Sequence, residues 1–307
     1  MRVDILMILK TLGIEFDDRV RKEAQTFQKM NQRVKIIVLE NSNKKSKGVS
    51  SFGVDYIGIR LLSRIILPHK KFIGIKLLEM YFVFICQIIK HRPKILYLHN
   101  LEMIGLVYFG NFLKRIGFIN KIIWDQHELP SEKMLKNQKY FKHLKKASLK
   151  SDIIVGANFE RIQYLSTKLG LPLTNFIVIE NIVDSTFAKL PKKELSEQIQ
   201  NFLKDSPYVF SSSGAEPGRY LDELLQALTS YKDLKIIIIG PYDSNIWETI
   251  TNKFGAKIRD KVYFTGLVRQ LEVANFLDHA LMSVIFYATT EPNLTYCAPN
   301  RDRKSVV

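Results

Sequence analysis

Two rhythms of apolar residues alternate along this chain. Short, nearly continuous apolar runs at residues 3–9, 34–39, 54–59, 94–99 and 121–125 have the length and make-up of strands buried on both faces. Between them lie stretches with apolar positions three and four apart. In 17–30, for example, Val20, Ala24 and Phe27 share one helical face. Residues 73–89 predict a long apolar helix, 104–116 another, and 160–169 a third between short strands at 153–157 and 176–179. Residues 41–51 are polar and lysine-rich and read as a loop, while 133–150 reads as a solvated helix or lid. The stretch 190–205 is polar and charged and reads as an interdomain connection. The rhythm then restarts, with strands at 208–212, 234–239, 262–264 and 282–286 and helices at 220–228, 246–254 and 271–278. This alternation predicts an α/β protein with parallel sheets in two halves, residues 1–190 and 191–307.

Ligands of such sheets bind beyond the carboxyl ends of the strands, so polar residues just after strands are the candidates for chemistry. His99 ends one strand and His127 follows another, within the run Asp125-Gln126-His127-Glu128. A carboxylate beside an imidazole can orient it and tune its proton affinity. The competing readings are a structural hydrogen bond for each histidine and a plain turn at Glu128 before Pro130. In the second half, Ser213-Gly214 ends the first strand and Arg219 opens the next helix. A glycine that admits a ligand to the backbone, a helix N-terminus and a guanidinium make a diphosphate site. The bland alternative is a tight turn with a surface cap. No Walker motif, G-x-G-x-x-G fingerprint, G-x-S-x-G elbow or metal-ligand spacing occurs, which disfavours simple hydrolases and zinc enzymes.

Charge divides the halves. Residues 1–190 hold 32 Lys+Arg against 16 Asp+Glu, whereas residues 191–307 hold 14 of each, so the whole net charge of +16 belongs to the first half. That half therefore faces something anionic, nucleic acid or a membrane surface. Within residues 60–92, Arg60, Arg64, Lys70, Lys71, Lys76, Lys90 and Arg92 alternate with Ile, Leu, Phe and Tyr, and only Glu79 is acidic. Such a stretch lies on an anionic bilayer or forms a core helix with solvated lysines. No apolar run reaches the roughly 20 residues needed to span a bilayer, and no secretory signal is present. Two cysteines, Cys86 and Cys297, are too few for a disulfide framework and fit a cytosolic compartment.

Several segments, in this order, resemble glycosyltransferase family 4, retaining enzymes of GT-B fold. Asp17-Asp18-Arg19-Val20-Arg21-Lys22-Glu23-Ala24 resembles the family's D-x-R-V-x-K-E-A first-helix pattern, and Asp125-Gln126-His127-Glu128 its D-x-H-E motif. Ser151-Asp152-Ile153-Ile154 and Val178-Ile179-Glu180-Asn181 resemble the close of the acceptor domain. Ser213-Gly214 through Arg219, Gly240, Phe264-Thr265-Gly266 and Tyr296-Cys297-Ala298-Pro299-Asn300 resemble the donor domain. The resemblance implies two Rossmann-like domains facing a cleft, and transfer of a sugar from a nucleotide sugar with retention, without cofactor or metal. It implies a catalytic position near the transferred sugar for His127. Arg219 would bind the donor diphosphate, with Gly214, Gly266 and Asn300 around the donor. Arg19, His99 and Glu128 would lie on the acceptor side. With the basic first half, the expected partners are a lipid-linked or glycan acceptor and an anionic membrane surface. The setting would be bacterial surface-glycan synthesis by a cytoplasmic enzyme, peripheral on the inner face of the plasma membrane.

Two departures qualify this. The family's glycine-rich first loop is reduced to Lys10-Thr11-Leu12-Gly13. Beyond Pro299-Asn300 the family continues to a glutamate that holds the donor ribose, where this chain has Arg301–Val307. Residues 302–307 back-translate into the start of a common sequencing adapter, so the expectation is non-native residues, an incomplete second domain and an inactive fragment. Two rivals are a nucleotide-sugar epimerase-like enzyme of the same scaffold and a basic nucleic-acid-binding protein. The first wants an acid/base pair that is not evident, and the second a recognisable basic-aromatic motif.

Overall fold

The computed structural model describes residues 3–68, 71–126, 128–182, 193–212, 215, 219–269 and 272–296. The chain forms two compact units, 1–180 and 181–307. In the first, β1 (Ile5–Thr11), α1 (Asp18–Lys29), β2 (Val34–Glu40), β3 (Ser46–Val49) and β4 (Asp55–Gly58) are followed by α2 (Ser63–Ile66) and α3 (Ile73–His91). Then come β5 (Ile95–His99), α4 (Ile104–Arg115), β6 (Lys121–Asp125), α5 (Glu132–Lys136), α6 (Gln138–Ser148), β7 (Ile153–Gly156), α7 (Phe159–Leu169) and β8 (Phe176–Val178). The strands form one sheet in the order β3-β4-β2-β1-β5-β6-β7-β8. Every pair is parallel except β3 with β4.

The central strands are buried because both faces are covered. Ile5 through Leu9 of β1 and Ile36 through Leu39 of β2 are sealed from solvent. α1 lays Val20 and Ala24 on this sheet, in one core cluster with Ile36 and Val38. Its start is set by Asp17, whose side chain accepts from the Val20 amide, and by Asp18 in the first turn. The chain runs outward from β1 to β2 and β4, then returns to place β5 on the other side of β1. The crevice beyond β1 and β5 is thus the switch point, the place such sheets offer a ligand.

The second unit contains α8 (Glu197–Leu203), β9 (Tyr208–Ser211), α9 (Leu221–Thr229), β10 (Lys235–Ile239), α10 (Ile246–Phe254), β11 (Val262–Gly266), α11 (Val273–Asp278), β12 (Met282–Val284) and α12 (Pro292–Thr295). Its strands are parallel in the order β11-β10-β9-β12. Here the switch point lies beyond β9 and β12.

Two sequence expectations are corrected. Residues 41–51 are not all loop: β3 pairs antiparallel with β4, Ser46 opposite Gly58, and a Cβ at Gly58 would collide with the Ser46 hydroxyl. The polar stretch 190–205 is not a bare connection either. It holds α8, and Leu195, Ile199 and Leu203 are buried against Tyr208, Phe210 and Ile237. Charged residues on the outer face hid that apolar spacing. Residues 133–150 contain α5 and α6, and α6 anchors through Leu144, Ala147 and Ser148.

Candidate functional site: two switch points

α1 places Arg19 and Glu23 one turn apart on the same face. β5 and β6 end in register, His99 beside Asp125. The fold brings these four together under the strand ends. Arg19 Nε donates to Asp125 Oδ2 at 2.7 Å and Nη2 to Asp125 Oδ1 at 3.1 Å, while Nη1 donates to the Ile179 carbonyl at 2.7 Å. Glu23 Oε1 lies 3.3 Å from Arg19 Nε, and His99 Nδ1 lies 3.3 Å from Asp125 Oδ2. The imidazole also packs edge-on against the Tyr97 ring, 4.6 Å between centroids.

Burial governs the proton affinities here. It pushes the Glu23 carboxyl up, and the Asp125 charge adds to this, to about 7. Burial opposes the Arg19 charge, but Asp125 and then Glu23 outweigh it and hold the guanidinium firmly protonated. Burial likewise raises the Tyr97 hydroxyl well above its ordinary value. Glu23, His99 and Asp125 present ligand atoms within 4.8 Å of one another, the spacing of a metal site. The Arg19 guanidinium lies within ion-pair distance of both carboxylates, its Nε 2.7 Å from Asp125 Oδ2 and 3.3 Å from Glu23 Oε1. The cluster is an internal brace that joins α1, β5, β6 and the end of β8.

Arg19 and His99 lie at the carboxyl ends, 7% and 0% exposed, with their nitrogens turned toward carboxylates inside the unit. Asp125 serves Arg19 and His99, a use that its neighbours in the motif did not reveal. Glu128 is exposed, and Gln126 nearby is buried. His127, Gly214 and Asn300 lie outside the described residues, as do Cys297 and 301–307.

Above the switch point of the first sheet opens a pocket of about 500 Å³. Lys10 at the end of β1, Arg64 of α2 and Lys76 of α3 supply cations, Asn41 and Asn43 amides, and Leu61, Ile73 and Met80 apolar wall. Lys10 is held by Glu102 at 2.9 Å and its amide by Asn100 Oδ1 at 3.2 Å. Asn43 clamps Leu61 from both sides, its amide donating to the Leu61 carbonyl at 2.9 Å and its oxygen accepting from the Leu61 amide at 2.8 Å. Glu79 accepts from the amides of Leu62 and Ser63 and so pins the start of α2. Arg64 Nη1 donates to the Glu40 carbonyl at 3.2 Å, and burial lowers its proton affinity.

In the second unit, Arg219 is half-buried just ahead of α9, and its guanidinium lies 4.1 Å over the Tyr287 ring. Arg219 comes from the β9 connection and Tyr287 from the segment after β12, so the pair straddles the switch point. Gly266 closes β11 with φ +74°, a left-handed conformation that glycine adopts without strain, and its carbonyl accepts from the Gly240 amide at 2.9 Å. Nothing lies within 4 Å of a Cβ built on Gly266, so this turn faces open space.

The sequence reading missed Tyr287, the brace role of Glu23, and Lys10, Asn41 and Asn43 of the pocket. Glu23 stood in the first-helix pattern, and its i, i+4 spacing from Arg19 was a usable signal. Tyr287 carried none, since its meaning depends on β12 lying beside β9.

No family model matches the chain, and no curated protein matches it. Solved structures do. The fold is that of GT-B glycosyltransferases. Sucrose-phosphate synthase from Thermosynechococcus elongatus aligns over 92% of this chain and 75% of its own, at 14% identity and a TM-score of 0.66. A glycosyltransferase from Rickettsia africae aligns over 92% and 73%, at 14% identity and 0.59. HepE from Anabaena, in complex with UDP-glucose, aligns over 93% and 74%, at 11% identity and 0.58.

Proposed function

We propose that this chain is a glycosyltransferase that moves a sugar from a nucleotide-sugar donor to a lipid-linked or polysaccharide acceptor, with retention, in the manner of family 4. The carrying observation is Arg219 stacked on Tyr287 at the switch point of the second sheet. A guanidinium held in a fixed plane suits bidentate pairing with phosphate oxygens. In this reading Arg219 binds the donor diphosphate and stabilises the charge that grows on it as the glycosidic bond breaks. The leaving phosphate takes the proton of the acceptor hydroxyl as the new bond forms on the same face of the sugar. Gly266, with Gly214 and Asn300, shapes the donor pocket, and His127 is assigned to the transferred sugar. The brace of Arg19, Glu23, His99 and Asp125 sets the strand end from which His127 follows. No step is assigned to a metal ion or a cofactor. The reaction would serve surface-glycan assembly at the cytoplasmic face of a bacterial membrane.

The test is calorimetric titration of the full chain with UDP-glucose, ADP-glucose and GDP-mannose, followed by product analysis with a lipid-phosphate acceptor. Binding of one donor that is lost in Arg219→Ala supports the reading. Absence of binding to every nucleotide sugar would overturn it.

A further inference from the structure

Arg64 is half-buried on the wall of the pocket at the first switch point, and among the described residues it has no carboxylate partner. Its Nη1 donates to the Glu40 carbonyl, while Nε and Nη2 make no hydrogen bond among the described residues. Burial opposes the charge and no neighbouring carboxylate offsets this, so the proton affinity falls below its ordinary value. Arg19 is the contrary case, matched by Asp125 and Glu23. A guanidinium partly withdrawn from water, with two donor edges open on a pocket wall, is suited to receive an anion. The chain that carries it is fixed from two sides. Asn43 bonds both the amide and the carbonyl of Leu61, and Glu79 accepts from the amides of Leu62 and Ser63. Two polar side chains thus hold the three residues ahead of Arg64 in place, the preorganisation that tight recognition needs.

Charge and size name the ligand. Lys10 and Lys76 join Arg64 around the pocket, and Lys76 Nζ donates to the Pro68 carbonyl at 2.7 Å. Among the described residues the lining holds a single acid, Glu102, which is paired with Lys10 at 2.9 Å. Three cations against one carboxylate leave an excess of two positive charges. A phosphate monoester carries about two negative charges near neutral pH and matches that excess, whereas a carboxylate matches half of it. A volume of about 500 Å³ lies in the range of small-molecule sites. Leu61, Ile73 and Met80 offer apolar wall to the C–H face of a sugar ring, and Asn41 offers an amide to its hydroxyls. We infer that this pocket binds a phosphorylated sugar, its phosphate paired with Arg64. The phosphate belongs to a free sugar or to the end of a glycan, and the experiment separates the two. The inference rests on the proposed transfer reaction only in giving this sugar the role of acceptor; binding requires the pocket alone.

Calorimetric titration of the full chain with the 6-phosphates of glucose, fructose and mannose, and with a 6-phosphorylated maltooligosaccharide, tests this. Glucose and glucuronate serve as the neutral and carboxylate controls. One phosphorylated sugar is expected to bind at least about tenfold more tightly than either control. Tighter binding of a hexose phosphate marks a free sugar, tighter binding of the oligosaccharide marks a glycan end, and both support the inference. Arg64→Ala should weaken binding at least about tenfold, and Arg64→Lys should restore only part of it, because lysine lacks the planar fork. Circular dichroism and the melting curve confirm that the variants fold. Wild-type binding should also strengthen as pH rises through about 6, where the phosphate loses its second proton, a readout that needs no variant. Failure of every phosphorylated sugar to bind overturns the inference, as does glucuronate binding of equal strength. Binding that Arg64→Ala leaves intact and Arg219→Ala abolishes overturns it too, since the anion then sits in the second unit. Phosphorylated-sugar binding without nucleotide-sugar binding would sink the transfer reading alone, and the reverse result would sink the pocket assignment alone.

Discussion

Two arginines occupy equivalent places in the two sheets of this protein. Arg19 stands at the carboxyl ends of the first sheet, enclosed at 7% exposure and bonded through Nε and both terminal nitrogens to Asp125 and the Ile179 carbonyl. Arg219 stands at the carboxyl ends of the second, half-buried and laid over the Tyr287 ring. Enclosure converts a cation into scaffold, because a buried charge in a dry site must be matched internally. A cation stacked on a ring keeps its in-plane donors in a defined orientation, which is what a phosphate needs. The same topology thus holds an enclosed guanidinium in one unit and, in the other, a guanidinium stacked on a ring, as the proposed contact with a donor phosphate requires.

The largest effect should come from breaking the brace. Asp125→Ala leaves Arg19 buried without its bidentate partner, and is expected to cost about 3–5 kcal/mol of stability by urea unfolding. Arg219→Ala should do the opposite: unfolding stability within about 1 kcal/mol of wild type, with donor affinity down roughly ten- to a hundredfold by calorimetry. A large stability loss in Arg219→Ala would erase the contrast between the two sites.

Proton linkage sharpens the comparison further. Glu23 is raised from 4.5 to about 7, so the folded state binds its proton more tightly than the unfolded state does. Its contribution to stability therefore falls as pH rises from about 4.5 to about 7. His91 works the other way. Burial first, then Lys35 and Lys90, lower its value from 6.5 to about 4, so its contribution falls as pH drops through that window. Urea midpoints across about pH 4–8 should show Glu23→Gln with a steeper rise toward neutral pH than wild type. Identical profiles would mean that Glu23 has the same proton affinity in the folded and unfolded states. The smallest effect belongs to the ring: Tyr287→Ala should weaken donor binding about fivefold, and Tyr287→Phe should restore it, since the cation meets the face and not the hydroxyl.

Much of the fold was legible because parallel strands are buried on both faces and so read as continuous apolar runs. Even helix starts could be anticipated, as with Asp17 ahead of α1. β3 and α8 escaped because their polar faces dominate short segments, and pairing or packing supplied what local pattern lacked. Of the candidate site residues, Arg219 could be placed at the opening of a helix after a strand from spacing alone, whereas Gly266 was suggested only by the family resemblance. The partners of Arg19 could not, since Asp125 and Ile179 lie more than a hundred residues away along the chain.

By itself, then, the sequence determined the alternation of strands and helices, the split of charge between the halves and the apolar character of α3. These are local properties, carried by neighbouring side chains. Only the tertiary structure decided that the motif aspartate belongs to a buried brace and that Tyr287 meets Arg219. It also left one apolar face of α3 bare among lysines and arginines. Those outcomes depend on which strands become neighbours and which surfaces they cover, and periodicity along a chain carries no record of either.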